Sequence, residues 1–568
     1  MEKLQLAKLD RPYFISYRLT EEDRVGAAAS LGSLETTSDP ARSRILTIQL
    51  RVGDYAFDNT NAINMPSFSN SGMVSMFGGM VTLPLDDDYN EIRRQIWLGT
   101  DSAYKKAIED IAAKRAALQN VTQTEVLPDF TREEPFTSTD EQPRIEMTRA
   151  ATESLARELS TLFRAMPDIY SSRVSISSGN ERVWYLNSEG TYYFHSSSEI
   201  DFHASARTQA TDGMPISDSF GARARTLDAF PSRKELEERI RALGARLENL
   251  RTAPLLARYN GPVLFEDAAA AEIFSEVFAP KLVAKRAPAL GNSQMAAAYS
   301  MMLSGRGGAS LQEKIGARVL PEWLSVTDSP LLGQYGGAPL FVSYKVDDEG
   351  VRARENLLVD GGILKTLLNG RTPVPEIARS SGNNRMGAVV PSNLIVRADK
   401  GMSPGDLRSE LLRLAAKRNL PFAIVVRRVG NPSVTSPSDV VNVMMASMQG
   451  RGASGKSILL AYKVFPDGHE ELARDAELTG FTVESFKDIS AAGKDAAIYV
   501  GAAHGNGGLP FDLPFDLPFD LDEIPGMDRV SAVATYAVPS LLFEDLTLSR
   551  PARELPKLPY STPPPIGH

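Results

Sequence analysis

Two adjacent carboxylates, Glu266 and Asp267, stand between a short apolar run and a row of alanines. The run 263–265 predicts a buried strand, and residues 268–278 carry apolar side chains at helical spacing. Acidic residues in a first helical turn favour the positive end of the helix dipole. A strand-to-helix turn is also where an enzyme can place a metal ion or a nucleophile. The stretch 261–282 is therefore a site, the relic of a site, or ordinary packing.

The histidines and cysteines limit the chemistry further. The chain has five histidines and no cysteine, which excludes disulfides, thiolate zinc sites, iron–sulfur clusters and a cysteine nucleophile. No pair of histidines forms the His-Glu-x-x-His pattern of many zinc peptidases. His195 and His203 alternate with apolar residues in predicted strands, which favours a structural role over metal ligation.

Residues 450–457, Gly-Arg-Gly-Ala-Ser-Gly-Lys-Ser, match the phosphate-loop pattern letter for letter. A phosphate loop requires a helix directly after it, so that backbone N–H groups and the helix dipole face the phosphates. Residues 457–464 instead predict a strand, and Pro466-Asp467-Gly468 predicts a turn. The sequence therefore favours a Gly/Ser loop over a nucleotide site.

A polar segment offers a different kind of contact. Asn383, Arg385 and Asn393 supply two amides and a guanidinium within about a dozen residues. Such groups can hydrogen-bond an extended peptide backbone or a carboxylate, so we take these three residues as candidate peptide contacts. The alternative is a loop whose polar side chains cap its own backbone.

Composition bounds the class of protein. The 568 residues suggest two or more domains, and 42% hydrophobic with 23% charged residues is typical of a globular protein. The net charge of −9 argues against general nucleic-acid binding. No apolar run is long enough to span a membrane, and the first residues lack the apolar core of a signal peptide. We therefore expect a cytoplasmic protein, with an exported form carrying an upstream signal left open.

The elements that must position these residues follow from periodicity. Alternation over 45–52 predicts a half-buried antiparallel strand, and residues 89–119 predict a helix. Ser232 and Glu235 form a capping box at the start of an amphipathic helix that ends near Leu250. Further along, the pattern predicts a hairpin of strands 341–346 and 354–359, a helix over 404–419, and strands over 423–429 and 440–448.

Residues 509–520 repeat Leu-Pro-Phe-Asp three times. Proline at every fourth position excludes a helix or a central strand, so the repeat predicts an extended surface insertion, with docking to a partner as the alternative. Strands over 530–538 and 540–547 and a Pro-rich tail follow.

Several segments together resemble one family. They are Gly261-Pro-Val-Leu-Phe with its alanine-rich helix, Leu320-Pro-Glu-Trp-Leu-Ser-Val-Thr-Asp328, Asp347-Asp-Glu-Gly350 with Leu357-Leu-Val-Asp-Gly-Gly-Ile-Leu-Lys365, and Asn383-x-Arg385 ahead of Pro391-Ser-Asn-Leu394. They are similar to the TldD/PmbA family, also called the modulator of DNA gyrase family, most clearly over 255–500.

The resemblance implies an α+β fold in two parts. We expect an N-terminal domain of sheet and helices over 1–255, with an inserted region near 60–165, and a curved, largely antiparallel β domain over 256–500. The repeat insertion and closing strands would occupy 501–548, and the Pro-rich tail 549–568.

The family's active type is a bacterial zinc peptidase with a His-Glu-x-x-x-His motif and a downstream cysteine ligand. Carried over by position, Glu266 stands at the first histidine, Asp267 at the catalytic glutamate and Ala271 at the second histidine. Cysteine is missing altogether. Because catalytic zinc needs three protein ligands and a water, the chain resembles the PmbA/TldE branch, which has no zinc ligands. No metal or cofactor is expected in it, and zinc only in a catalytic partner.

The resemblance therefore implies a non-catalytic, TldE-like subunit or scaffold that binds unfolded or flexible peptides in a proteolytic complex. Its partner would be a TldD-like subunit bearing the His-Glu-x-x-x-His motif. Two alternatives stay open. One is an active peptidase whose metal site is displaced to Glu266, Asp267 or a histidine, and the other is a stand-alone peptide-binding homodimer.

Overall fold

The computed structural model describes residues 9–61, 79–119, 127–286, 310–430, 455–503, 532–551, 555 and 557–559. The predicted strand over 440–448, most of the Gly/Ser loop at 450–457, His504, His568 and the Leu-Pro-Phe-Asp repeat lie outside these residues. The described chain contains helices and two large sheets, so the predicted α+β class is confirmed.

The N-terminal sheet has seven described strands, in the order β3-β2-β1-β5-β6-β4 with β7 also pairing with β6. All neighbours are antiparallel except β4 and β6. The long segments fold into continuous strands along which buried and partly exposed residues largely alternate. The strands are β1 Pro12–Ser30, β2 Ser33–Val52, β3 Met80–Thr82, β4 Thr137–Asp140, β5 Ser171–Asn187, β6 Tyr192–Gln209 and β7 Pro215–Ala224.

In the described part of the chain, three helices accompany this sheet: α1 Tyr89–Leu118, α2 Arg149–Thr161 and α3 Arg233–Thr252. The predicted helix over 89–119 is confirmed. The capping box is confirmed as well, since Ser232 and Glu235 each hold the other's backbone N–H at the start of α3. The apolar face of α3 is fully buried with α2 against the sheet, in the main core of this half.

Among the residues that the structure describes, the C-terminal sheet has eleven strands, and only the pairs β16–β22 and β17–β8 are parallel. Strand β8 pairs with both β17 and β22, so the sheet closes on itself. Its strands are β8 Tyr259–Phe265, β9 Leu324–Asp328, β12 Asn356–Asp360, β13 Ile363–Leu364, β16 Asn393–Ala398, β17 Ala423–Val429, β18 Gly455–Val464, β19 Glu470–Ala473, β20 Ala476–Thr479, β21 Ile489–Ala502 and β22 Val533–Ser549.

Two small hairpins stand apart from that sheet: β10 Gln334–Tyr335 with β11 Ala338–Pro339, and β14 Asn384–Arg385 with β15 Ala388–Val389. Helices α4 Ala268–Ile273 and α5 Pro404–Lys417 pack on the closed part of the sheet. None of the described helices is both long and apolar enough to cross a membrane.

One predicted hairpin is wrong. The turn at Asp347 forms, because its carboxylate accepts hydrogen bonds from the backbone N–H groups of Glu349, Val351 and Asn384. Residues 341–346, however, form no strand in the described structure: a single antiparallel bridge joins Val346 to Arg352 beside the turn, and β12 pairs with β9 instead. The turn could be predicted because its own residues form it, whereas β9, the partner of β12, comes from before the turn region. The two predicted closing strands are likewise the single strand β22.

Candidate functional site

The strand-to-helix turn in the C-terminal half is sharply bent at Asp267. Strand β8 ends at Phe265, and α4 begins at Ala268 after Asp267 adopts φ 48° and ψ −123°. This backbone conformation favours glycine, so a side chain here is strained. The backbone N–H of Asp267 donates to Ser540 Oγ at 3.1 Å, which holds the bend. The Asp267 carboxylate itself is exposed and has no hydrogen bond or ion pair to any described residue.

The neighbouring carboxylate of Glu266 is fully engaged. Arg408 donates through Nε at 2.8 Å and through Nη2 at 3.2 Å, while Arg427 donates through Nε at 3.0 Å. Glu470 completes the group, forming an ion pair with Arg408 at 2.9 Å and accepting a hydrogen bond from Arg427 at 2.8 Å. Two carboxylates thus alternate with two guanidinium groups, and we call these four residues the Glu266 cluster.

Electrostatics inside the Glu266 cluster favour the charged forms. Burial alone would raise the pKa of the Glu266 carboxyl, but the hydrogen bonds from Arg408 and Arg427 lower it below its usual range. The bond to Glu266 in turn raises the pKa of Arg408. The Arg427 guanidinium also lies over the Tyr462 ring, at 4.5 Å from its centroid. The cluster is therefore a stable ion network at neutral pH.

The alanines behind the turn serve packing. Ala269, Ala270 and Ala271 are completely buried in the C-terminal core. Small side chains let α4 lie close to β22 and β17 without displacing either strand. Glu272, the next residue, accepts a hydrogen bond from the backbone N–H of Val429 at 2.6 Å. This face of α4 therefore presents methyl groups and one carboxylate, that of Glu272, which is already hydrogen-bonded.

These residues do not fit a catalytic zinc ion. Ala271 has no donor atom, and Glu266 is neutralised by two arginines whose charges would repel a cation. Among the residues that the structure describes, no three His, Asp or Glu side chains are arranged to hold a metal ion.

The predicted peptide contacts occupy different environments. Asn383 is buried and donates to Asp328 Oδ2 at 2.7 Å, next to Ser392, which donates to the same oxygen at 2.8 Å. Burial raises the pKa of Asp328, although these bonds oppose the shift. Asn393 is also buried, and its amide donates to the carbonyl groups of Ser329, Leu332 and Val342.

Arg385 lies nearer to solvent than the two asparagines. It ends strand β14 of the small hairpin β14–β15, donates to the carbonyl of Pro391, and lies over the Tyr344 ring at 5.6 Å. The structure thus brings Asn383 and Arg385 to one hairpin, while the Asn393 amide fastens the loop that carries β10 and β11. The peptide-contact role of all three stays a prediction.

The described histidines have distinct surroundings. His195 stacks on Tyr193 at 5.7 Å, and burial lowers its pKa to about 4. His469 lies on the surface, with Nδ1 at 2.7 Å from Asp467. Neither lies within hydrogen-bonding distance of the other charged groups named above.

Sequence reasoning missed Arg408, Arg427 and Glu470. A signal for Arg427 was present, because Arg427-Arg428 ends an otherwise apolar strand, and a half-buried arginine requires an acidic partner. The identity of that partner was hidden, since Glu266 lies 161 positions away in the chain.

Comparisons with known proteins fit this geometry. Residues 134–248 match the model of the PmbA/TldA metallopeptidase central domain, and residues 258–415 match that of the PmbA/TldA metallopeptidase C-terminal domain.

A metalloprotease of Methanothermobacter thermautotrophicus is 23% identical over 201 residues, which cover 34% of this chain and 38% of the relative. A metalloprotease of Methanocaldococcus jannaschii is 28% identical over 193 residues, covering 34% and 37%. The chain thus matches less than two fifths of either relative's length.

Solved structures resemble nearly the whole chain. A Thermotoga maritima protein described as a modulator of a DNA gyrase has a TM-score of 0.55 at 16% identity, covering 94% of this chain and 96% of its own. TldE from Thermococcus kodakarensis has a TM-score of 0.54 at 13% identity, covering 96% and 98%. At these identities the likeness shows a shared fold.

Proposed function

Because this chain belongs to the TldD/PmbA family, whose members are related to metallopeptidases, we propose that it is a metal-free, non-catalytic subunit. It would hold extended, flexible peptides for a zinc-bearing peptidase of the same family, in the cytoplasm. The division into an N-terminal domain to about residue 255 and a C-terminal domain beyond it is part of this proposal.

The observation that carries the proposal is the Glu266 cluster. Zinc activates water only when three protein ligands and an open position surround it. Here the first ligand position holds a carboxylate bound by Arg408 and Arg427, and the second holds the buried methyl group of Ala271. Restoring a metal would require breaking the ion network as well as supplying ligands. Two guanidinium groups therefore take over the electrostatic role of a cation at this turn.

The proposed partner is a peptidase subunit because this chain lacks zinc ligands of its own. A subunit without ligands can contribute to proteolysis only by binding substrate or by completing a neighbouring site. The similarity of this fold to TldE of Thermococcus kodakarensis supports the first of these roles. Of the three candidate peptide contacts, Arg385 has the most accessible polar group, while Asn383 and Asn393 would keep the surrounding loops in place.

The test is reconstitution with a paralogue that bears the His-Glu-x-x-x-His motif. Cleavage of an unstructured peptide is measured for each chain alone and for the mixture, and light scattering gives the mass of the complex. We expect a complex of both chains, no cleavage by this chain alone, and a lower KM in the mixture than for the paralogue alone. Arg385→Ala should raise that KM, whereas the matched surface change Arg413→Ala should leave it unchanged.

Three outcomes would overturn the proposal. Chelator-sensitive cleavage by this chain alone would indicate an active peptidase with a displaced metal site. Peptide binding by a homodimer that ignores the paralogue would indicate a stand-alone binding protein. A mixture that forms no complex and leaves KM unchanged would remove the partner role.

A further inference from the structure

Large apolar side chains are concentrated on the outer surface of the N-terminal half. Five of those exposed in the described structure fall between Met80 and Leu98, and three of them lie on α1. Their exposed fractions are 49% for Met80, 47% for Leu85, 71% for Tyr89, 62% for Trp97 and 40% for Leu98. Exposed apolar groups in such density mark an interaction surface more often than a solvent-facing helix.

The surface is held by a rigid support. On the inner side of α1, Ile92 and Ile96 pack against the core that contains Leu46 and Ile48. Gly99 approaches that core so closely that a Cβ atom there would lie 2.6 Å from a Val81 methyl group. The helix is therefore fixed on its sheet, and its outer residues keep their positions.

Positive charge lies within the same surface. Tyr89, Arg93 and Trp97 follow one another at intervals of four, with Arg94 and Leu98 alongside. Arg93 has no hydrogen bond or ion pair to any described residue, and Arg94 has only a 3.5 Å contact with Glu91. We call these five residues the Trp97 stripe. Its chemistry suits a ligand that alternates apolar groups with acids.

The chain carries such a ligand in its own sequence. Each Leu-Pro-Phe-Asp unit of residues 509–520 supplies three apolar residues and one carboxylate. In a polyproline II conformation four residues advance ~12 Å. Eight residues of α-helix, the separation of Tyr89 and Trp97, also span ~12 Å. Successive units could thus meet successive aromatic rings, with an aspartate near Arg93 between them, as proline-rich segments do on aromatic grooves.

We propose that the Leu-Pro-Phe-Asp repeat docks on the Trp97 stripe of the same chain. In sequence, residues 504–531 with the repeat connect the two strands of the β21–β22 pair, at whose end the Ala503 N–H donates to the Ala532 carbonyl at 2.7 Å. Pro514, at its centre, is eleven residues beyond Ala503, so it can reach up to about 35 Å.

Three contacts link the hairpin end to α1 by way of residues 342–348 and strand β1. They are Val342 with Thr535, Arg18 with Asp348, and Tyr17 with Thr100. A tether of this length gives the attached repeat an effective concentration of order mM, which favours its own chain over a second copy. Docking would bury the most exposed aromatic residues of α1 and place aspartates beside Arg93 and Arg94.

The probe is a synthetic peptide, Leu-Pro-Phe-Asp repeated three times, titrated against two forms of the full chain. One form is native, and in the other residues 509–520 are replaced by a Gly/Ser segment of equal length. Binding is followed by calorimetry, and the accessibility of Trp97 by acrylamide quenching. We expect the replaced form to bind the peptide at least tenfold more tightly than the native chain, with Trp97 protected in the native chain.

Substitutions then test whether the peptide binds at the Trp97 stripe. In the replaced form, Trp97→Ala and the pair Arg93→Glu with Arg94→Glu should each weaken peptide binding at least tenfold. Lys105→Glu, on the same helix but beyond the stripe, is the matched control and should have no effect. Equal binding to both forms would show the stripe open in the native chain and overturn docking in cis. Failure of the replaced form to bind, or binding that ignores these substitutions, would overturn the site itself.

Discussion

Two ion clusters in this molecule use the same groups in different surroundings. In the Glu266 cluster, Arg408 keeps 37% of its side chain exposed and Arg427 keeps 33%. In the second cluster, Arg371 is completely buried and meets Glu189 at 2.7 Å. Arg371 also donates to the Thr131 carbonyl and lies over the Phe130 ring at 3.9 Å.

The difference in burial gives the clusters different roles. Arg371 belongs to the C-terminal half, whereas Glu189, Thr131 and Phe130 belong to the N-terminal half, so the buried pair fastens the halves together. A buried charge that loses its partner is costly, because no water replaces the lost bond. The Glu266 cluster is partly exposed, so water can reach its arginines, and its role is to occupy the first ligand position with an ion network instead of a metal ion.

Removing one arginine from each cluster tests this contrast with the largest expected effect. Arg371→Met should lower the free energy of unfolding by about 3–5 kcal/mol, because it leaves Glu189 charged and buried. Arg408→Met should lower it by about 1 kcal/mol, because water and Arg427 remain available to Glu266. Urea denaturation of both variants measures the values. Equal losses would show that burial does not distinguish the clusters.

Glu266→Gln is expected to have a smaller, pH-dependent effect. At pH 7 it should lower the free energy of unfolding by about 1 kcal/mol, because two arginines then share Glu470 alone. The folded-state pKa of Glu266 lies below its unfolded value, so its contribution is complete above that unfolded value, about pH 4.3.

That contribution is lost as the pH falls through the folded-state pKa, so wild type and Glu266→Gln should converge in acid. Urea denaturation between pH 3 and pH 7 follows the convergence, and Asp267→Asn, which removes the neighbouring carboxylate outside the Glu266 cluster, is the matched control. A difference that grows toward acid pH would contradict the ion network.

Asp267→Gly should have the smallest effect, and of opposite sign. Glycine adopts the observed backbone angles without strain, so the variant should gain about 0.5–1 kcal/mol of stability. Asp267→Ala keeps the strain and should gain nothing. A loss on introducing glycine would show that the exposed carboxylate makes a stabilising contact.

Local chemistry explains which elements could be predicted. The capping box of α3 and the leucines of α5 are set by residues three or four positions apart, so both helices follow from sequence. Strand partners depend on residues outside the strand itself. The sequence therefore predicts that 354–359 pairs with 341–346, whereas in the structure β12 pairs with β9. The closure of the C-terminal sheet through β8 and β22 joins segments almost 300 residues apart and left no local pattern.

The residues of the candidate site also fall into those that the sequence predicts and those that only the fold reveals. The position of Glu266 and the absence of ligands at Ala271 followed from the resemblance, because they depend on residue identity alone. The two arginines that bind Glu266 come from α5 and β17, and only the fold brings them together. Asn383 and Asn393 looked like free polar groups in sequence, yet both point into the protein, since their neighbours' carbonyl and carboxylate oxygens need donors.

Zinc titration of the purified full chain tests the central claim most directly. Calorimetry at pH 7.5, with metal content measured after dialysis, compares the native chain with the triple variant Glu266→Ala, Arg408→Ala and Arg427→Ala. If the Glu266 cluster excludes a metal, neither form should retain stoichiometric zinc, because Ala271 supplies no ligand in either. One zinc ion per native chain, lost together with peptide cleavage on adding a chelator, would contradict the account.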